Sequence, residues 1–317
     1  MLDIIVGDSH SAHGTGGLIF SCKDTIHTLE IRSPFRAEYL PIIASLPHLR
    51  KLLLARACFP RDLPSNAFPS LEVVTILRFH GQLFQNFFKH LCTTSLRLVR
   101  IYGADTIDFK ELMAALAGFS ASLRMLEVVG VTNVDLPSAV TPRLFTNLRI
   151  LSVRCSRLGE GIHRSCTFRP TDQAIAELGA AMPNINRLLL GNTNCDNSEP
   201  VTFLSLVNLS KSCRDLEILH LKVDFQTMVD LSLRSEDVKT GTTFERTQGS
   251  PCKLHRLAIG SSILPDHPES EWIVAIGLWK IFPYLSKIAG SDLDRRELRR
   301  VMRNIWMLRQ VHRTVQQ

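Results

Sequence analysis

The chain has 317 residues, 45% of them hydrophobic and 21% charged, with 37 Lys and Arg against 30 Asp and Glu. That composition excludes an intrinsically disordered polymer. The net charge of +7 suits an acidic partner but speaks first to solubility.

No apolar run reaches the roughly 18–20 residues of a membrane span. The apolar start, Met1–Val6, stops at Gly7 and Asp8 without a basic flank, so it is not read as a secretion signal. The expectation is a soluble protein of the cytoplasm or nucleus. Eight cysteines are scattered with no CxxC pair, which argues against a disulfide framework or a zinc site. Most are expected as small buried hydrophobes.

Residues 1–25 are read as a tail or an incomplete first repeat. His10, His13 and the glycines of DSHSAHGTGG lack the Gly-Lys-Ser/Thr of a phosphate loop and the further ligands of a metal site.

From Ile26 a pattern recurs: apolar, two residues, apolar, one residue, apolar. It appears as Ile26/Leu29/Ile31, Leu49/Leu52/Leu54, Leu71/Val74/Ile76, Leu96/Val99/Ile101, Leu123/Leu126/Val128 and Leu148/Leu151/Val153. It continues as Ile185/Leu188/Leu190, Leu216/Leu219/Leu221 and Leu254/Leu257/Ile259, with a degenerate Leu285/Ile288. Between Leu49 and Leu148 the steps are 22, 25, 27 and 25 residues, and afterwards 37, 31, 38 and 31. The earlier spacing is that of leucine-rich repeats. The last two apolar positions lie two apart, so they share one side of a short strand.

Helices are predicted over Glu38–Ser45, Gln82–Cys92, Phe109–Phe119 and Thr171–Met182, the last opening on a Thr-Asp cap signal. Strand and helix alternating with a common period give an α/β fold with parallel strands. The expected architecture is a leucine-rich-repeat solenoid, a horseshoe with strands inside and helices outside. It holds about ten units over 26–290 and is irregular after 154. Gly159–Pro170, Gly191–Glu199 and Ser235–Pro251 read as inserted loops, the last a lid or a disordered segment.

The unit TDQAIAELGAAMPNINRLLLGN, Thr171–Asn192, resembles the repeats of F-box proteins. The irregular lengths and the closing AIGLWKIFPYLSKIAG, Ala275–Gly290, are similar to fungal F-box/leucine-rich-repeat proteins. The resemblance implies the substrate-recognition region of a ubiquitin-ligase adaptor. The 25 residues before the first repeat are too few for an F-box, so docking of a Skp-type adaptor is implied only if that module lies upstream.

Period-2 alternation turns the residues between the core positions outward, onto the concave face of such a horseshoe. They include Glu30, Arg32, Arg100, Tyr102, Glu127, Arg154, Arg187, His220, Lys222 and Arg256. Thr75, Leu98, Met125, Ile150, Ser152 and Leu189 lie among them. Apolar groups mixed with arginine and an aromatic are what protein interfaces favour. The expected partner is a protein with an acidic or phosphorylated segment.

His163 and Cys166 beside Cys155 make half a zinc site without a completing pair. No acid/base pair or Ser-His-Asp ordering emerges, so neither an enzyme nor a cofactor is expected. Residues 291–317 read as a basic helix with the apolar stripe Leu298, Val301, Met302, Ile305 and Leu308. Such a helix caps the last repeat, or offers a basic surface to nucleic acid; aromatic interleaving beyond Trp306 is missing for the latter.

Overall fold

The computed structural model describes residues 2–6, 17, 19–32, 37–55, 63–77, 84–103, 109–130, 133–134, 145–154, 167–191, 199–234, 251–260, 262, 264, 269–290 and 295–316. The chain divides into two compact units, Met1–Val134 with Leu144–Arg164, and Asp135–Arg143 with Ser165–Gln317.

The first unit runs β1 (Leu2–Val6), β2 (Ile26–Ile31), a 3-10 turn (Ala37–Tyr39), α1 (Leu40–Ala44), β3 (Lys51–Ala55) and β4 (Val73–Leu77). It continues with α2 (Phe84–His90), β5 (Leu98–Tyr102), α3 (Phe109–Leu116), a 3-10 turn (Ala117–Phe119), β6 (Met125–Val129), β7 (Asn133–Val134) and β8 (Ile150–Arg154). Seven strands pair in the order β1-β2-β3-β4-β5-β6-β8. Each pairing is parallel. The segment 1–25 thus contributes a strand, β1, beside β2.

The register puts like repeat positions side by side. Leu29, Leu52, Val74, Val99, Leu126 and Leu151 form one row, and Ile31, Leu54, Ile76, Ile101, Val128 and Val153 the next. All twelve are at most 1% exposed. Burying each contributes about 1.5–3 kcal/mol, and no unit could bury its row alone.

The other side of this core comes from the crossovers. Phe109, Leu112, Met113 and Leu116 of α3 are buried, as are Phe87 and Phe88 of α2. Phe68 is fully buried with its ring 5.4 Å from that of Phe87. Its φ of 56° is unusual for a side chain this large, and its N–H donates to Ala44 O at 2.7 Å. The helix predicted over Glu38–Ser45 is a 3-10 turn followed by the short α1, which carries Pro41 in its first turn.

The second unit runs β9 (Thr167–Phe168), α4 (Asp172–Ala181), β10 (Arg187–Leu190), β11 (Val201–Thr202), α5 (Phe203–Ser212), β12 (Ile218–His220) and β13 (Val223–Asp224). Then follow α6 (Gln226–Arg234), β14 (Arg256–Gly260), α7 (Ser270–Ile281), β15 (Lys287–Gly290) and α8 (Arg295–Gln316). Strands β10, β12, β14 and β15 pair in that order, all parallel. Leu188, Leu219, Leu257 and Ile288 share one row. Two-residue strands β11 and β13 form a second parallel pair. The fold is therefore α/β, with eleven parallel strands in sequence order and helices in the crossovers.

Hydroxyl caps set the starts of α4 and α5. Thr171 Oγ1 accepts from Ala174 N at 3.1 Å, as the Thr-Asp signal predicts. Thr202 caps α5 in the same way. Asp172 joins the two helix starts. Its Oδ1 accepts from Thr202 N at 2.9 Å and from Ser205 Oγ at 2.6 Å, and its Oδ2 from Thr202 Oγ1 at 2.7 Å.

Helix α8 packs against α7 and β15. Leu298, Val301 and Ile305 are buried there, with Met302 and Leu308 half-buried. Arg300 pairs with Glu271 at 3.0 Å, and Arg309 Nη2 donates to Leu285 O at 2.6 Å. No helix among the described residues is long and apolar enough to cross a membrane.

Candidate protein-binding face

The outward rows are as regular as the buried ones. In the first unit Glu30, Leu53, Thr75, Arg100, Glu127 and Ser152 share a register row. The row beyond it carries Leu77, Tyr102, Val129 and Arg154. All of these except Ser152 are half-buried. Strand alternation and the fixed parallel register together present them on one side of the sheet.

Ser152 departs from the expectation. It is 2% exposed and its Oγ has no partner among the described residues.

Four of the expected residues form a charged cluster. Glu127, with a side chain only 12% exposed, lies between arginines that are 39% and 42% exposed. Arg154 Nη2 donates to its Oε1, and Arg100 Nε lies 3.4 Å from its Oε2. Tyr102 Oη donates to the same Oε2 at 3.1 Å. Burial, and next the Glu127 carboxylate, hold the Tyr102 phenol above its ordinary pKa. Two arginines on one carboxylate leave the cluster one positive charge in excess. Much of the positive field expected of Arg100 and Arg154 is thus spent on Glu127.

Glu30 and Arg32 pair with each other at 2.8 Å, so they too offset one another. In the second unit Arg187, Ile218, Arg256 and Lys287 form one register row, and its three cations are exposed. Leu189, His220, Ala258 and Ala289 form the next row. Lys222 follows the end of β12 and is half-buried. Lys287 was missed in the sequence because its repeat, Leu285/Ile288, is degenerate. Its place two residues after Leu285, matching Arg256 two after Leu254, is the signal that finds it.

His10, His13, Cys155, His163 and Cys166 lie outside the described residues, as does most of the three inserted loops. Among the described residues no group of three His, Cys, Asp or Glu is placed to hold a metal ion. Of the described cysteines Cys213 and Cys252 are buried, Cys22 is half-buried and Cys92 is exposed. Burial raises the Cys213 thiol to about 12 and Cys252 to about 11. Such thiols are poor nucleophiles.

No protein-family model matches the chain, and no curated protein matches it.

Proposed function

We propose that the chain is a leucine-rich-repeat solenoid whose strand face binds another protein, as the substrate-recognition region of an F-box-like ubiquitin-ligase adaptor. The observation that carries the protein-binding reading is the outward rows. Half-buried Leu53, Leu77, Leu98, Met125, Val129 and Ile150 surround the Arg100–Glu127–Arg154 cluster and Tyr102. Apolar groups around ordered arginines and a tyrosine are the usual make-up of a protein interface. The exposed row of Arg187, Arg256 and Lys287 favours an acidic or phosphorylated segment in the partner. The ligase reading rests on the F-box style of the Thr171–Asn192 unit, and engages a Skp-type adaptor only through an F-box joined upstream.

The test compares capture of partners by the full chain, by Thr75→Glu with Leu98→Glu on the strand face, and by Gln173→Lys on the surface of α4. The expected result is a partner lost only with the strand-face variant. A partner that survives that variant, or none at all, overturns the face. Absence of a Skp-type adaptor from the captured set when an F-box is present overturns the ligase role alone.

Binding of nucleic acid through α8 is less well supported. Two of its arginines, Arg300 and Arg309, are engaged with Glu271 and the Leu285 carbonyl.

A further inference from the structure

Three successive strand starts in the first unit carry arginine. Arg97, Arg124 and Arg149 immediately precede β5, β6 and β8. Arg124 N donates to Arg97 O, and Arg149 N to Arg124 O, both at 2.8 Å. The three are therefore direct neighbours across the sheet, spread over about 10 Å at the usual strand spacing. All three side chains are exposed.

They line a cavity of about 390 Å³ with Thr94, Ser95, Ser122 and Asn147. Hydroxyls and an amide supply further donors. Asn147 Nδ2 donates to Ala121 O at 2.8 Å, which fixes that amide across the wall. The described lining includes no carboxylate. Glu72, at the preceding strand start, pairs with Arg50 at 3.7 Å instead. Neither Arg97 nor Arg124 has an ion-pair partner among the described residues. The equivalent positions in the second unit, Asn186, Glu217, His255 and Ser286, do not repeat the run.

We infer that this groove is a binding site for a small oligophosphate, two or three linked phosphate groups. Guanidinium forks match phosphate oxygens in pairs, and the neighbouring Arg97 and Arg124 repel each other until an anion is present. A cationic groove spread over about 10 Å is longer than one phosphate needs and suits a short chain of them. The site lies at the strand starts, apart from the outward rows, and stands independently of the protein-binding reading.

Calorimetric titration of the full chain with phosphate, pyrophosphate and tripolyphosphate tests it. Tripolyphosphate is expected to bind one to one, tighter than pyrophosphate and much tighter than phosphate, and more weakly as salt rises. Arg97→Gln with Arg124→Gln should weaken it about tenfold or more with an unchanged melting temperature. Arg296→Gln with Arg303→Gln on α8 should not. A nucleoside triphosphate added as a further arm names the source: tighter binding than tripolyphosphate assigns a nucleotide, weaker binding an inorganic or other oligophosphate, and both keep the site. Three outcomes overturn it: no binding, equal affinity for phosphate and tripolyphosphate, or an equal loss with the α8 variant, which assigns the affinity to diffuse charge.

Discussion

Tyr102 Oη donates to Glu127 Oε2 at 3.1 Å across neighbouring strands β5 and β6. The same carboxylate holds Arg100 and Arg154, so one side chain on β6 orders three others, two from β5 and one from β8. Glu127→Gln removes the charge and leaves two arginines facing each other without it. The expected loss is about 1–2 kcal/mol in denaturant unfolding. Burial still raises the Tyr102 phenol in this variant, but the further push from the carboxylate is gone, so it should titrate closer to its ordinary value. Ultraviolet titration against a Tyr102→Phe control reads that shift, and an unmoved phenol would refute the link.

Asp172 stitches α4 to α5 through three accepted hydrogen bonds, one of them from Ser205, which is fully buried. Asp172→Ala leaves those donors unmatched and should cost about 1–3 kcal/mol. Asp172→Asn retains one acceptor oxygen and should fall between the two. Chemical denaturation of the three proteins ranks them, and an alanine variant as stable as the parent would show that water replaces the carboxylate.

Gly130 closes β6 with a φ of 106°, and its N–H donates to Arg154 O at 2.8 Å. Side chains disfavour that backbone, so Gly130→Ala should destabilise by about 1–2 kcal/mol. Gly118, in the turn after α3, has nothing within 4 Å of an added Cβ. Gly118→Ala should be neutral or stabilising by up to about 1 kcal/mol. Thermal melts of the two variants should therefore move apart; shifts of equal sign and size would contradict the backbone argument.

Cys213 and Cys252 sit in consecutive repeats of the second unit, with Cys252 Sγ 3.3 Å from Cys213 O. Burial raises both thiols, to about 12 and about 11 from an ordinary value of 9.0. In the unfolded chain they lose their protons near that ordinary value, while in the folded chain they keep them. The unfolded state thus binds fewer protons above it, and stability falls as pH rises from about 9 toward the folded values. Each thiol contributes at most about 1.4 kcal/mol per pH unit to that fall. The slope should flatten in Cys213→Ala with Cys252→Ala. Peptide mapping after native alkylation should find these two protected and the exposed Cys92 modified.

The buried half of the fold was readable residue by residue. Leu52, Val74, Val99, Leu126 and Leu151 recur at one phase, and each falls in the same row of the sheet. The helix over Thr171–Met182 was readable from its cap. Helix α7 was not, because it is apolar nearly all round. It packs against α8, α6 and α5, so it has no single wet face to produce a 3.6-residue period. The network of Asp172, Thr202 and Ser205 was not readable either, because its members lie 30 and 33 residues apart and no local pattern links them.

The sequence alone determined which side chains face the core and which face outward, since alternation along a strand is local and each repeat carries its own copy. It placed Arg100, Tyr102, Glu127 and Arg154 on the outward side. Only the tertiary structure decided that Glu127 serves the other three, that Ser152 is covered, and that Arg97, Arg124 and Arg149 stand side by side over one groove. Those facts depend on register between strands some 25 residues apart. Register is set by backbone hydrogen bonds and side-chain packing across the sheet, and no period within a single strand encodes it.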